Sequence, residues 1–218
     1  MDIRALLDQQ KQEFEQKKGR LMTLEEYLEL CASDPKVYAS PAERLLDAIG
    51  EPTIVDTTTS PRLSRIFGNR SIEQYEAFSD FFGMEEVIER IMSYLKHSSQ
   101  GLEESRQVLY LLGPVGSAKS SLAERLKRLM ESRPIYVLCD RTGEKSPINE
   151  SPLGVLSPEA VKALNIPSRV LPAKCSPWAT KRLREYEGDV TKFKVMKLYP
   201  SQSNQLAIAK TEPGDDNN

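Results

Sequence analysis

The sequence predicts an α/β fold, and three consecutive stretches carry that prediction. Residues 107–112, Gln-Val-Leu-Tyr-Leu-Leu, form a short and nearly continuous apolar run, the pattern of a strand buried on both faces. A glycine-bearing loop follows at once: Gly113, Pro114, Val115, Gly116, Ser117, Ala118, Lys119 and Ser120. A helix-forming stretch then runs from Lys119 to about Glu131, and after Pro134 a second apolar run begins, Ile135-Tyr136-Val137-Leu138. Strand, loop, helix and strand in that order call for a parallel sheet with a right-handed crossover.

The hundred residues before this unit read as mostly helical. Residues 1–18 have high helix propensity, mixed charges and only a thin apolar stripe of Leu6, Leu7 and Phe14. Two readings stay open there, a solvated or loosely docked helix and a charged, flexible lead-in. Thr23-Leu24-Glu25-Glu26 is a capping box, in which the Thr23 hydroxyl accepts from the Glu26 amide while Glu26 reaches back. Leu24, Tyr27, Leu28 and Cys31 share one face of the helix it starts, which stops near Asp34-Pro35. Ser40-Pro41-Ala42-Glu43 repeats the logic, with Leu45, Leu46 and Ile49 as the apolar face and Gly50 as the stop. These helices are expected as a small bundle, residues 1–60, ahead of a main domain over residues 61–218.

Thr53-Ile54-Val55-Asp56 reads as a short strand, and residues 57–80 as irregular, with Pro61, Gly68 and Asn69 as breakers. Gly83-Met84-Glu85-Glu86 opens a helix whose apolar positions are Val87, Ile88, Ile91, Met92 and Leu95, closed by Gly101. Residues 140–158 are rich in Gly and Pro and read as a loop. Short helices start at Ser157-Pro158 and Ser176-Pro177, Phe193 to Tyr199 alternates as a strand does, and residues 212–218 are polar and unstructured in character.

Composition excludes several classes of function. A net charge of -2 gives no basic field for nucleic acid or an anionic membrane. No apolar run approaches the roughly 20 residues that span a bilayer, and the N-terminus lacks the apolar core of a signal peptide, so the expected location is the cytoplasm. Cys31, Cys139 and Cys175 form no CxxC pair and read as buried or half-buried thiols. His97 is the single histidine, read as a helix-surface residue, which rules out a histidine metal cluster.

The loop at 113–120 matches the frame G-x-x-x-x-G-K-[ST] at all but one position. The frame has a physical logic. Backbone amides wrap phosphates at a helix N-terminus, Lys119 neutralises the β and γ phosphates, and the Ser120 hydroxyl ligates Mg²⁺. The fold class is therefore a P-loop NTPase core with ATP and Mg²⁺ as cofactors. The departure is Ala118, where the frame has glycine; a methyl group there is expected to crowd the nucleotide or bend the loop. Ser117 occupies a permissive position. Hydrolysis needs an acidic residue at the end of a second core strand. Asp140, closing the run that starts at Ile135, is the one candidate, although in many such folds that strand comes later.

Several stretches together resemble a known family: Ala42 to Pro52, Pro61-Arg62-Leu63-Ser64-Arg65-Ile66-Phe67, Phe81-Phe82-Gly83-Met84-Glu85-Glu86, Tyr94-Leu95-Lys96-His97, Leu109 to Gly116, Ser176-Pro177-Trp178-Ala179 and Ile208 to Asp215. From about Thr23 to Asn218 the chain is similar to the N-terminal part of the bacterial PrkA-type serine protein kinases. The resemblance implies an AAA-type ATPase core, incomplete at its C-terminus because members of that family are much longer. It also implies ATP contacts from residues 113–120 and the following Ser121, and an adenine pocket lined by Phe82 and Gly83; ordinary core is the other reading for Phe81 and Phe82. That family usually has glycine at both 117 and 118. A protein substrate or partner and a possible homo-oligomer of the full-length form follow by the same resemblance. No protein-kinase His-Arg-Asp, Asp-Phe-Gly or Val-Ala-Ile-Lys signature occurs here. An ATPase that remodels or helps degrade protein partners, and a non-catalytic module with a degenerate loop, are the alternatives.

Overall fold

The computed structural model describes residues 20–59, 61–114, 116–171 and 174–200, with the side chains of Arg62 and Leu63 left aside. The expectations for residues 1–18, for Val115, and for the segments 208–215 and 212–218 lie outside the described residues. In chain order the elements are β1 (Arg20–Thr23), α1 (Leu24–Ser33), α2 (Pro41–Ile49), β2 (Thr53–Asp56), α3 (Pro61–Phe67), β3 (Ser71–Gln74), α4 (Glu85–Ser99), α5 (Lys119–Glu131), β4 (Ile135–Cys139), α6 (Pro158–Ala163), α7 (Pro177–Glu185) and β5 (Lys194–Leu198). None of these helices is long and apolar enough to cross a membrane. The chain divides into two compact units, one of residues 1–39 with 131–218 and one of residues 40–130. The two capped helices α1 and α2 thus fall in different units.

In the first unit the strands form a three-stranded antiparallel sheet in the order β1-β5-β4. Met22 pairs with Val195, and Val195 with Leu138, so one row of side chains shares a face and enters one core. That core also holds Leu24, Tyr27, Cys31, Val161, Tyr186 and Phe193. The capping box on α1 forms as predicted, the Glu26 amide donating to Thr23 Oγ1 at 3.1 Å and the Thr23 amide to Glu26 Oε2 at 2.8 Å. Burial pushes the Tyr27 hydroxyl well above its ordinary pKa and the Cys31 thiol up to about 11, so both stay neutral. Cys139 is buried and Cys175 half-buried, as predicted.

The parallel sheet expected from the two apolar runs is not present among the described residues. β4 pairs antiparallel with β5, and residues 107–112 make no ladder at all. Val108, Tyr110 and Leu112 are 88%, 79% and 84% exposed, whereas Leu111 packs on a core. Among the described residues no strand lies beside this run, and an apolar run cannot form a ladder without a partner.

The second unit is built on α2, α4 and α5. Leu45 and Ile49 from α2, Ile88, Ile91, Met92 and Leu95 from α4, and Leu122 from α5 form its core with Tyr75 and Phe78. β2 and β3 pair antiparallel beside it. Their connection holds α3 and a buried Thr57, whose single hydroxyl proton is shared between the Gly68 and Arg70 carbonyls, each 2.6 Å from Oγ1. Residues 57–80, expected to be irregular, hold α3 and β3: Pro61 starts the helix and Gly68, in the left-handed region, ends it. His97 is exposed on α4 as predicted, its Nδ1 3.2 Å from Glu104.

Asp140 is buried, but as the organiser of a turn. Its Oδ1 accepts from the Thr142 amide at 2.8 Å, the Thr142 hydroxyl at 2.6 Å and the Glu144 amide at 3.0 Å, while Oδ2 lies 3.5 Å from Arg182. Burial favours protonation, yet these donors and the guanidinium outweigh it and hold the carboxyl below its usual range. Oδ1 thus holds the turn together and Oδ2 faces Arg182, a structural role for the acid that closes the run from Ile135. Asp140→Ala should cost about 2–3 kcal/mol in urea unfolding, since several donors are left unpaired. The sign of the pH effect follows from the lowered pKa. The stabilisation is complete above the ordinary carboxylate range near ~4 and disappears as pH falls through the lower folded value. Asp140→Asn should therefore show a flatter loss of stability below about pH 5 than the parent.

Candidate functional site

The loop at 113–120 is held in place by the helix that follows it. Leu122, at 1% exposure, joins the core of the 40–130 unit, and Leu126, Leu129 and Met130 pack against the same cluster. This spacing of i, i+4, i+7 and i+8 is one helical stripe, and burying Leu122 alone contributes about 1.5–3 kcal/mol. With that stripe turned inward, Ser120 and Ser121 are exposed at the first turn of α5.

Arg125 ties α5 to the segment preceding α4. It donates to the Ala77 carbonyl and to the Asp80 carboxylate, both at 2.5 Å, and its guanidinium carbon lies 5.4 Å from the centre of the Phe81 ring. Sequence reading passed over Arg125, because nothing in a helical arginine signals a partner almost fifty residues away.

Lys119 is the centre of the loop. Its ammonium donates to the Gly113 carbonyl at 2.8 Å, the Pro114 carbonyl at 2.5 Å and the Ser117 hydroxyl at 2.9 Å. Three acceptors meet the three protons of one ammonium group. A side chain at Gly113 would place its Cβ 3.0 Å from Ser117 Oγ, so the glycine there makes room for that hydroxyl.

The loop turns on two residues with left-handed backbone, Gly116 at φ 82° and Ala118 at φ 55°. The Ala118 carbonyl accepts from the Leu122 amide at 2.9 Å and so starts the helix. The frame's preference for glycine at this position thus has a backbone cause, since an alanine in the left-handed region costs roughly 1–2 kcal/mol. The Ala118 methyl group thus strains the loop's own backbone.

Phe82 and Gly83 lie one residue beyond the Arg125 clamp. Phe81 packs on the core with its ring against Phe78, whereas Phe82 is 83% exposed. Phe82 borders a cavity of about 400 Å³ with Tyr75, Phe78, Phe81, Glu76 and Glu85, to which no described residue of 113–121 contributes. Loop and Phe82 thus belong to one unit but not to one cavity.

Chemically, the loop presents a cation and two exposed hydroxyls at the N-terminus of a 13-residue helix. Such an end favours an anion through its free amides and its dipole. These residues fit a nucleotide phosphate: Lys119 would hold it, and Ser120 can give one oxygen to Mg²⁺, whose remaining ligands come from phosphate and water. Among the described residues no cluster of three His, Cys, Asp or Glu side chains offers a separate metal site.

Comparison with known proteins adds to this geometry. A family model for the PrkA AAA domain matches residues 22–218. Serine/threonine kinase YeaG of Escherichia coli strain K12 is 55% identical over 218 residues, covering 98% of this chain and 34% of that protein. ATP-dependent protease PrkA of Bacillus subtilis strain 168 is 26% identical over 225 residues, covering 99% of this chain and 33% of that protein. The chain spans about a third of the length of the curated relatives it matches. No solved structure matches it.

Ala118→Gly should relieve the left-handed backbone and stabilise the chain by about 1 kcal/mol. For a chain of this size that is a rise of about 2–4 °C in Tm by calorimetry. ATP-Mg binding, followed by titration, should tighten as well, because the methyl group that would crowd the nucleotide is removed.

Proposed function

The chain belongs to the PrkA AAA-domain family, and from that membership we propose that it is the ATP-binding N-terminal portion of a PrkA-type serine protein kinase. The observation that carries the proposal is the capture of the Lys119 ammonium by the Gly113 and Pro114 carbonyls at the head of α5. Held by the loop, the cation lies at the end of the helix whose amides favour an anion. In this reading Gly113, Gly116, Lys119 and Ser120 hold the triphosphate, Ser121 supports it from the first turn, and Phe82 and Gly83 approach the base. ATP with Mg²⁺ supplies the phosphoryl group; the residues of this chain bind and orient it.

Residues 107–112 serve in this proposal as the central strand of a P-loop NTPase core. Their exposed apolar side chains and the lack of a ladder fit partner strands supplied by the longer protein. Phosphorylation of serine or threonine in a protein substrate, assembly of like subunits and a cytoplasmic location belong to that whole protein and are proposed with it.

The name of the Bacillus subtilis relative, ATP-dependent protease, supports a second reading, an AAA-type ATPase that works on protein partners without phosphotransfer. The two separate in one assay of the full-length protein with radiolabelled ATP. Transfer of label to a protein acceptor is expected; ATP hydrolysis stimulated by an unfolded protein, with no labelled acceptor, would establish the second reading instead. In this chain Lys119→Ala should weaken ATP-Mg binding by about tenfold or more, the scale of a lost charge-assisted hydrogen bond. Unchanged affinity in a calorimetric titration would remove the loop as the site.

A further inference from the structure

We propose that Ser117 is an internal competitor for nucleotide phosphate, a hydroxyl that holds the third proton of Lys119 and so sets the affinity of the loop. The inference rests on the nucleotide-binding reading and deepens it.

The geometry is specific. An ammonium group has three protons and no more. Two go to backbone carbonyls, Gly113 at 2.8 Å and Pro114 at 2.5 Å, which fix the lysine to the loop. Those acceptors belong to the main chain and stay with the loop whatever it binds. The third goes to Ser117 Oγ at 2.9 Å, the one side-chain acceptor of the three. A phosphate oxygen that approaches Lys119 needs that third proton, so it must first displace the hydroxyl.

The surroundings are arranged to keep the hydroxyl where it is. Ser117 and Lys119 are two residues apart across the left-handed Ala118, a turn that brings both side chains to the same side of the loop. The Ser117 amide donates to the Pro114 carbonyl at 3.3 Å, closing the loop behind it. Gly113 is the residue that leaves room for Oγ, since a Cβ there would stand 3.0 Å away. Serine lacks the size to block the site by bulk, so its effect comes through the hydrogen bond to the ammonium.

Hydrogen bonds to charged groups are stronger than neutral ones. Ser117→Ala should therefore bind ATP-Mg about threefold to tenfold more tightly than the parent in isothermal titration of the 218-residue chain. Ser117→Thr, which keeps the hydroxyl, should bind like the parent. In a Lys119→Ala background the Ser117→Ala change should have no effect on binding, because the two residues then have nothing to couple. A readout without nucleotide checks the same contact: trace labelling of lysines with acetic anhydride, followed by mass spectrometry, should modify Lys119 faster in Ser117→Ala than in the parent. If the parent binds ATP-Mg and Ser117→Ala binds it equally or more weakly, the hydroxyl helps the phosphate or is idle, and the proposal is overturned. Unchanged Lys119 labelling overturns it as well. If neither protein binds ATP-Mg, the nucleotide-binding reading fails, and the proposal with it.

Discussion

The burial of one stripe of α5 is the constraint on which the site depends. Leu122, with Leu126, Leu129 and Met130, fastens the helix to the core made by α2 and α4. Once that stripe faces inward, the residues before it have little choice. Lys119 leads the helix, Ser120 and Ser121 face outward, and the loop from Gly113 must arch back to meet the lysine. Arg125 extends the same support one turn further, reaching Ala77, Asp80 and the Phe81 ring. The packing is ordinary hydrophobic burial; its consequence is a fixed cation at a helix N-terminus.

Much of this was legible in the sequence where the signal was local. The capping boxes at Thr23 and Ser40, the span of α5 and the apolar face of α4 rest on side chains within one or two turns of each other, and the structure has them as expected except that Val87 of α4 is exposed. The strands were less legible, because a strand is defined by its neighbour. Residues 107–112 carry the composition of a buried strand but no described strand lies beside them, while Ile135 to Cys139 carry the same composition and pair antiparallel with β5. Nothing in either run states its partner or direction. β3 was overlooked for the same reason.

The site was legible as a frame and not as a geometry. The frame named Gly113, Lys119 and Ser120, and flagged Ala118, whose methyl group strains a left-handed backbone that the sequence does not display. Asp140, the acid after an apolar run, is a candidate by position alone; in three dimensions its Oδ1 accepts from Thr142 and Glu144 and its Oδ2 faces Arg182. Ser117 is legible only as a permissive position among the expected ATP contacts, because a hydroxyl two residues from a lysine becomes its partner only when the loop turns between them.

The central claim is that the loop ahead of α5 receives nucleotide phosphate. Amide hydrogen exchange of the chain with and without ATP-Mg tests it most directly, because exchange reads each backbone segment separately. The account predicts added protection concentrated at residues 113–122, with a smaller effect at 81–84. Protection confined to residues 131–200, or no protection anywhere at saturating ATP-Mg, would contradict it.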